Sequence, residues 1–242
     1  MLNELTKTES SDAEVAASPG MLIVVSSPSG GGKGTLIDRV LKTVPGVSFS
    51  VSYTTRAPRA TEQNGREYFF VDRPTFEKLI EGGEFLEWAD VYGHLYGTSA
   101  TQVETERRAG HDIILEIDVQ GAESIRKKVS DAVSVFILPP SFELLRARLL
   151  ARGTDSAADL EMRLRGAPSE VEQYKFFHYV ILNDDINRAS QQLAAVIYAE
   201  RARCERQESS LRDALEDFGV ITEPGAIATV SEPGAVATGS DG

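Results

Sequence analysis

The sequence predicts an α/β fold: a parallel sheet of five strands flanked by helices, carrying a small α+β insertion. Three observations lead there. Short β-branched runs alternate with helical patterns through most of the chain. Those runs are continuously apolar rather than alternating, as strands covered on both faces must be. A glycine-rich loop follows the first run and opens a helix, which is the setting of a phosphate-binding loop, or P-loop.

In chain order, residues 1–20 are rich in Ser, Thr, Glu and Ala with no apolar period, and read as a disordered acidic arm. "LIVVS" at 22–26 is the first strand, and further strands are expected at 49–53, 112–117, 133–138 and 179–182. Helical patterns fall at 33–43, 75–81, 99–109, 120–128, 141–151, 156–173 and 186–216. The stretch from about 53 to 98 breaks the alternation. It is aromatic and punctuated by glycine, with strand-like "EYFFV" and "GEFLEWA", and is expected to form an insertion over one sheet edge. Residues 209–242 read as a low-complexity acidic tail, in which E-P-G-A-x-A-T occurs twice, nine residues apart, with nothing to bury a core.

The net charge of −12 is gathered at the ends. Residues 1–20 hold four acids and one base, residues 205–242 eight acids and two bases, and the middle is nearly balanced. This argues against nucleic acid as a partner. No apolar run approaches the roughly 18 residues of a membrane span, and the N-terminus lacks the basic and apolar regions of a signal peptide. Cys204 is the only cysteine, so no internal disulfide forms. A cytoplasmic protein with no membrane association is expected.

The loop "SSPSGGGKGT" at 26–35 departs from G-x-x-x-x-G-K-[ST] twice, with Ser27 at the first glycine and Gly34 at the hydroxyl position. Its glycines still let backbone N–H groups converge on an anion at the positive end of the next helix. Lys33 is placed as a point charge for terminal phosphates, and Thr35 offers a hydroxyl one residue late. A tight strand-to-helix turn would use the same glycines. Beyond it, Arg56 and Arg59 flank Pro58, and "NG" at 64–65 turns Tyr68 back towards them. Two guanidinium forks and a phenol suit a phosphate monoester, although surface arginines on a hairpin would read alike. In "FLEWADVYGHLYGTS", an ionised Glu87 could accept from the two adjacent donors of guanine, where adenine would present an acceptor. Ser52 and Thr98 could donate to the guanine carbonyl. Glu87 alone could equally be an exposed glutamate.

From about residue 21 to 203 the chain resembles guanylate kinase, a P-loop nucleoside monophosphate kinase. The resemblance rests on "SVSYTTRAPRATEQNGREYFFV", "FLEWADVYGHLYGTS", "ILEIDVQGA" and "RGT…RL", in that order. It implies a kinase domain over 21–208, with a monophosphate-binding insertion at about 53–98 and a helical lid at about 148–170. It implies phosphoryl transfer from ATP to GMP with Mg²⁺, both nucleotides being small-molecule partners. ATP would lie on Ser27, Pro28, Ser29, Gly30, Gly31, Gly32, Lys33, Gly34 and Thr35, with Asn183 near the adenine. The GMP phosphate would meet Arg56, Arg59, Tyr68 and Tyr96, and the guanine Ser52, Glu87, Thr98 and Asp118. Lys33, Arg56 and the lid arginines Arg148, Arg152 and Arg163 would stabilise the transferring group. No protein ligand to the metal is assigned, apart from Thr35 as a candidate. In this family the first glycine of the loop is often absent, and "GKGT" resembles the adenylate kinase loop. The alternatives are a catalytically inactive module of the same fold and a ribose 1,5-bisphosphate kinase. The oligomeric state is not legible.

Overall fold

The computed structural model describes residues 19–153 and 156–220, apart from the side chains of Arg152, Glu208, Ser209 and Asp213. The arm over 1–18 and the tail over 221–242 lie outside the described residues. From the start, β1 (Leu22–Ser26) leads into α1 (Lys33–Thr43) and β2 (Val47–Phe49). The insertion follows as β3 (Tyr53–Thr54), β4 (Phe69–Phe70), α2 (Arg73–Glu81), β5 (Phe85–Val91) and β6 (His94–Ser99). Next come α3 (Ala100–Arg108), β7 (Asp112–Glu116), α4 (Val119–Lys128) and β8 (Val133–Leu138). The chain continues through α5 (Phe142–Arg152), α6 (Ala157–Glu172), β9 (Tyr179–Leu182), α7 (Ile186–Arg201) and α8 (Cys204–Asp217). The described residues up to Arg203 form one compact unit, and α8 belongs to a second.

The main sheet has the order β2-β7-β1-β8-β9 with every pairing parallel. Because side chains alternate along a strand, β1 supplies both faces of the core. Ile23 and Val25 pack with Leu36, Ile37 and Val40 of α1 and Leu193 and Ile197 of α7. Leu22 and Val24 pack with Val103 of α3 and Ala122 and Ile125 of α4. The strand order departs in opposite directions from β1, so the crevice beyond its carboxyl end is where a ligand site forms in such sheets. The glycine-rich loop leaves β1 there.

A second sheet, β4-β3-β6-β5, builds the insertion. The expected strand over 49–53 is divided between the two sheets. Phe49 pairs with Ile114, whereas Tyr53 pairs with Gly97. Tyr53 is drawn away by aromatic packing, stacked on Phe69 at 4.8 Å and edge-on to Phe85 at 5.6 Å. The expected helix over 186–216 is also divided. Ala189, Leu193 and Ile197 form the buried stripe of α7; beyond it the apolar period stops, and the helix closes at Ala202. The helix α8 then runs into residues expected to be tail. The helices α5 and α6, where the lid is expected, have their own small cluster, Leu145 and Leu149 against Ala167 with Leu160 and Leu164.

Candidate active site

The helices α2 to α7 each begin with an Asp or Ser side chain accepting a backbone N–H, at Asp72, Ser99, Asp118, Ser141, Ser156 and Asp185. The helix α1 begins at Gly32 with no side-chain cap. Its first N–H groups are thus left for an anion at the positive end of the helix dipole. Gly30 and Gly32 are in the left-handed region, at φ 87° and 92°. Ser27 is more than a missing glycine: its hydroxyl donates to the Pro28 carbonyl at 2.9 Å and accepts from Lys33 Nζ at 3.2 Å. Lys33 also reaches the Ser27 carbonyl at 3.4 Å, so the residue parks the lysine over the loop.

Gly34 faces a carboxylate that the sequence reading missed. A Cβ at residue 34 would stand 3.4 Å from Glu116 Oε2, and Glu116, at the end of β7, lines the same cleft as Thr35. The available signal was positional: a charged residue closing a buried strand beside the loop. Among the described residues there is no cluster of three or more potential metal ligands. Two hard oxygen donors, Thr35 and Glu116, suit a magnesium ion that keeps its waters and the nucleotide phosphates as most of its shell.

Arg163 donates to Ser29 Oγ at 2.7 Å. Seven residues along the same face of α6, Glu170 accepts the Ser29 backbone N–H at 2.9 Å and the Tyr92 hydroxyl at 2.8 Å. The Arg163 guanidinium lies 5.2 Å from the Tyr92 ring centre. Tyr92, in the β5–β6 turn, has φ 55°, a left-handed value seen in no other non-glycine among the described residues. The helix α6 therefore joins both the glycine-rich loop and the insertion. Glu170 and Tyr92 were not anticipated, since no local motif marks a contact spanning 78 residues.

Asn183, expected near the ATP adenine, and Arg148, expected as a lid arginine on the transferring group, both contact the loop backbone. Asn183 is buried, and its amide donates to the Gly31 carbonyl at 2.9 Å. A Cβ at Gly32 would come within 2.5 Å of that amide. Arg148 donates to the carbonyls of Gly31 at 3.3 Å and Asn183 at 3.0 Å. Both brace the loop from the side of β9 and α5. Arg152 ends α5, and its side chain lies outside the described residues.

Across a cavity of about 290 Å³, the insertion presents the other predicted residues. Arg56 lies over the Tyr68 ring at 5.4 Å, and Tyr68 meets Tyr96 edge-on at 5.8 Å. Burial and the neighbouring Glu116 carboxylate push the Tyr68 phenol well above its ordinary value, so it stays a donor. Both arginines contact Glu62, which the sequence reading did not single out.

Ser52, Glu87 and Thr98 are buried, and Ser52 and Glu87 line the cavity. Thr98, expected to reach a guanine carbonyl, instead donates to Glu87 Oε1 at 2.6 Å. The paired strands β5 and β6 set this contact, Glu87 standing opposite Thr98. Burial raises the Glu87 pKa to about 7, against the Thr98 hydrogen bond that lowers it. Asp118 caps α4 through the Gly121 N–H at 3.0 Å and also lines the cavity. A Cβ at Gly121 would come 2.6 Å from Glu87 Oε2, so only glycine lets α4 approach this carboxylate.

The arrangement has close relatives. The family model for guanylate kinase matches residues 20–200. A guanylate kinase from Thiobacillus denitrificans is 49% identical over 191 residues, which are 79% of this chain and 91% of that protein. One from Aromatoleum aromaticum is 52% identical over 189 residues, 78% of this chain and 93% of that protein. Among solved structures, the crystal structure of guanylate kinase from Anaplasma phagocytophilum superposes with a TM-score of 0.70 at 35% identity. That match covers 86% of this chain and 99% of the other.

Proposed function

The chain belongs to the guanylate kinase family and transfers the terminal phosphoryl group of ATP to GMP, giving ADP and GDP; we propose the following division of labour among its residues. The single observation that carries it is a buried carboxylate, Glu87, in the wall of a cavity that the uncapped start of α1 and Lys33 also line. A carboxylate accepts two hydrogen bonds side by side, which guanine supplies and adenine does not.

In this reading Glu87 reads the guanine, Thr98 holds one Glu87 oxygen in place, and Ser52 and Asp118 complete the purine end. Arg56, Arg59, Tyr68 and Tyr96 hold the GMP phosphate. The loop 27–35 cradles the ATP phosphates through its N–H groups. Asn183 and Arg148 keep the loop in shape by holding the Gly31 carbonyl. Phosphoryl transfer needs alignment and positive charge around the transferring group rather than a protein base, because the acceptor is already a phosphate oxygen. Lys33, held on Ser27, and Arg163, held on Ser29, supply that charge, and Arg152 is assigned to the same group by its place at the end of α5.

Kinases of this family generally need a divalent metal. We assign Mg²⁺, with Thr35 and Glu116 as the residues that would hold it or its waters. When bound, it would neutralise charge on the ATP phosphates. The nucleotides are the substrates, and no described helix is long and apolar enough to cross a membrane.

The test is ADP production from MgATP by the purified chain, with GMP, dGMP, AMP, UMP and ribose 1,5-bisphosphate offered separately. Turnover with GMP well above AMP is expected. Equal turnover with AMP would remove Glu87 from its role, and turnover with ribose 1,5-bisphosphate alone would replace the acceptor.

A further inference from the structure

Glu62 is an acid in the wall of a cavity that has to receive a phosphate dianion. It is no stray surface group, for its side chain is only 12% exposed and that of Arg56 11%. A tight turn fixes it. Its N–H donates to the Arg59 carbonyl at 3.0 Å, and the Arg59 N–H donates to Glu62 Oε2 at 2.8 Å. On this anchored carboxylate both guanidinium groups converge. Arg56 Nη2 donates to Oε1 at 2.9 Å and Oε2 at 3.0 Å, and Arg59 Nη1 to Oε1 at 3.4 Å. The other Arg56 nitrogen, Nη1, donates to the Ala57 carbonyl at 2.8 Å.

We infer that Glu62 is a positioning residue for the phosphate end of the acceptor site, holding Arg56 and Arg59 side by side before the nucleotide arrives. Two guanidinium ions at one subsite repel each other, and a carboxylate between them offsets the repulsion. Arginine side chains lose much rotamer freedom when they are fixed in one place. A strut that orders them during folding removes that cost from the binding step. Burial alone would raise the Glu62 pKa, but the Arg59 N–H and the Arg56 guanidinium outweigh it and hold the carboxyl below the usual range. The strut is therefore charged at neutral pH, and the trio keeps one net positive charge for the incoming phosphate.

The inference rests on the reading of Arg56 and Arg59 as the phosphate receptor, and the experiment separates the two. Equilibrium binding of GMP and of guanosine, which lacks the phosphate, is measured on the full chain and on Glu62→Ala, Glu62→Gln and Arg56→Gln. Glu62→Ala should weaken GMP about tenfold while changing guanosine less than about twofold, with Glu62→Gln between. In turnover, KM for GMP should rise while kcat and KM for ATP stay within about threefold. Equal losses for GMP and guanosine would reduce Glu62 to a folding role. Tighter GMP binding would make it a competing anion. Either result overturns the inference. If Arg56→Gln leaves the ratio of GMP to guanosine affinity unchanged, the receptor reading itself fails. If Arg56→Gln collapses that ratio and both Glu62 variants leave it intact, only the strut fails.

Discussion

In the proposed reading Glu87 must be ionised to accept from guanine, yet it sits where burial favours its protonated form, with a pKa near 7 rather than 4.5. The free site therefore has to lose a proton before it can read the base at lower pH. KM for GMP should rise about tenfold from pH 8 to pH 6, while KM for ATP moves little. An acid with a higher pKa folded than unfolded binds extra protons in the folded state between the two values. Its contribution to stability is fully present below about pH 4.5 and is lost as pH rises through about 7. Glu87→Gln should accordingly raise the melting temperature of the nucleotide-free protein at pH 8, by up to about 3 kcal/mol in stability, and have little effect at pH 5. The same variant should lower the preference for GMP over AMP by about 10²-fold, because an amide offers one acceptor where guanine needs two. Turnover with both acceptors, together with melting curves at the two pH values, checks all of this. The residue types at this end were legible in the sequence. The partner of the Thr98 hydroxyl was not, since the pairing of β5 with β6 decides it.

Among elements, α4 shows how closely a helix can approach a site when one residue lacks a side chain. Gly121 is inside the helix, where alanine would ordinarily be favoured by about 1 kcal/mol. Here a Cβ would come 2.6 Å from Glu87 Oε2. Gly121→Ala should therefore raise KM for GMP at least about tenfold with KM for ATP unchanged, by displacing the carboxylate from its guanine-reading position. An unchanged KM for GMP would mean that α4 shifts to absorb the methyl. Gly34 is the contrasting case. A Cβ there stands 3.4 Å from Glu116 and the backbone is not left-handed, so Gly34→Ser should fold normally and keep turnover within about threefold. Circular dichroism and steady-state rates test that. Element boundaries were legible where apolar periods were long, as along β1 and α1, and at the start of α7 but not at its end. They were not legible at 49–53, where one β-branched and aromatic run serves two sheets. Which strand claims Tyr53 depends on Phe69 and Phe85, residues that local patterning cannot bring together.

Within the unit ending at Arg203, the parallel sheet, the second sheet and the helices α5 and α6 follow from the alternation of the chain and its motifs, but their junction does not. That junction is Glu170, which takes a phosphate-loop N–H from Ser29 and the Tyr92 hydroxyl from the insertion, beside Arg163 of its own helix. Each contact joins residues far apart in sequence, so only the assembled fold brings them together. A carboxylate here has two opposite consequences. In the proposed reading it adds negative charge beside the phosphates of ATP, and it aligns the three parts between which the phosphoryl group would pass. Alignment governs transfer, where small misplacements cost large factors, whereas an added charge near solvent is partly screened. Glu170→Ala should thus lower kcat about tenfold and change either KM by less than about threefold. Tyr92→Phe, which removes only the hydroxyl, should reproduce part of the kcat loss. If Glu170→Ala instead lowers KM for ATP at constant kcat, the carboxylate competes with ATP for the loop, and lid, insertion and loop are aligned by the nucleotides themselves.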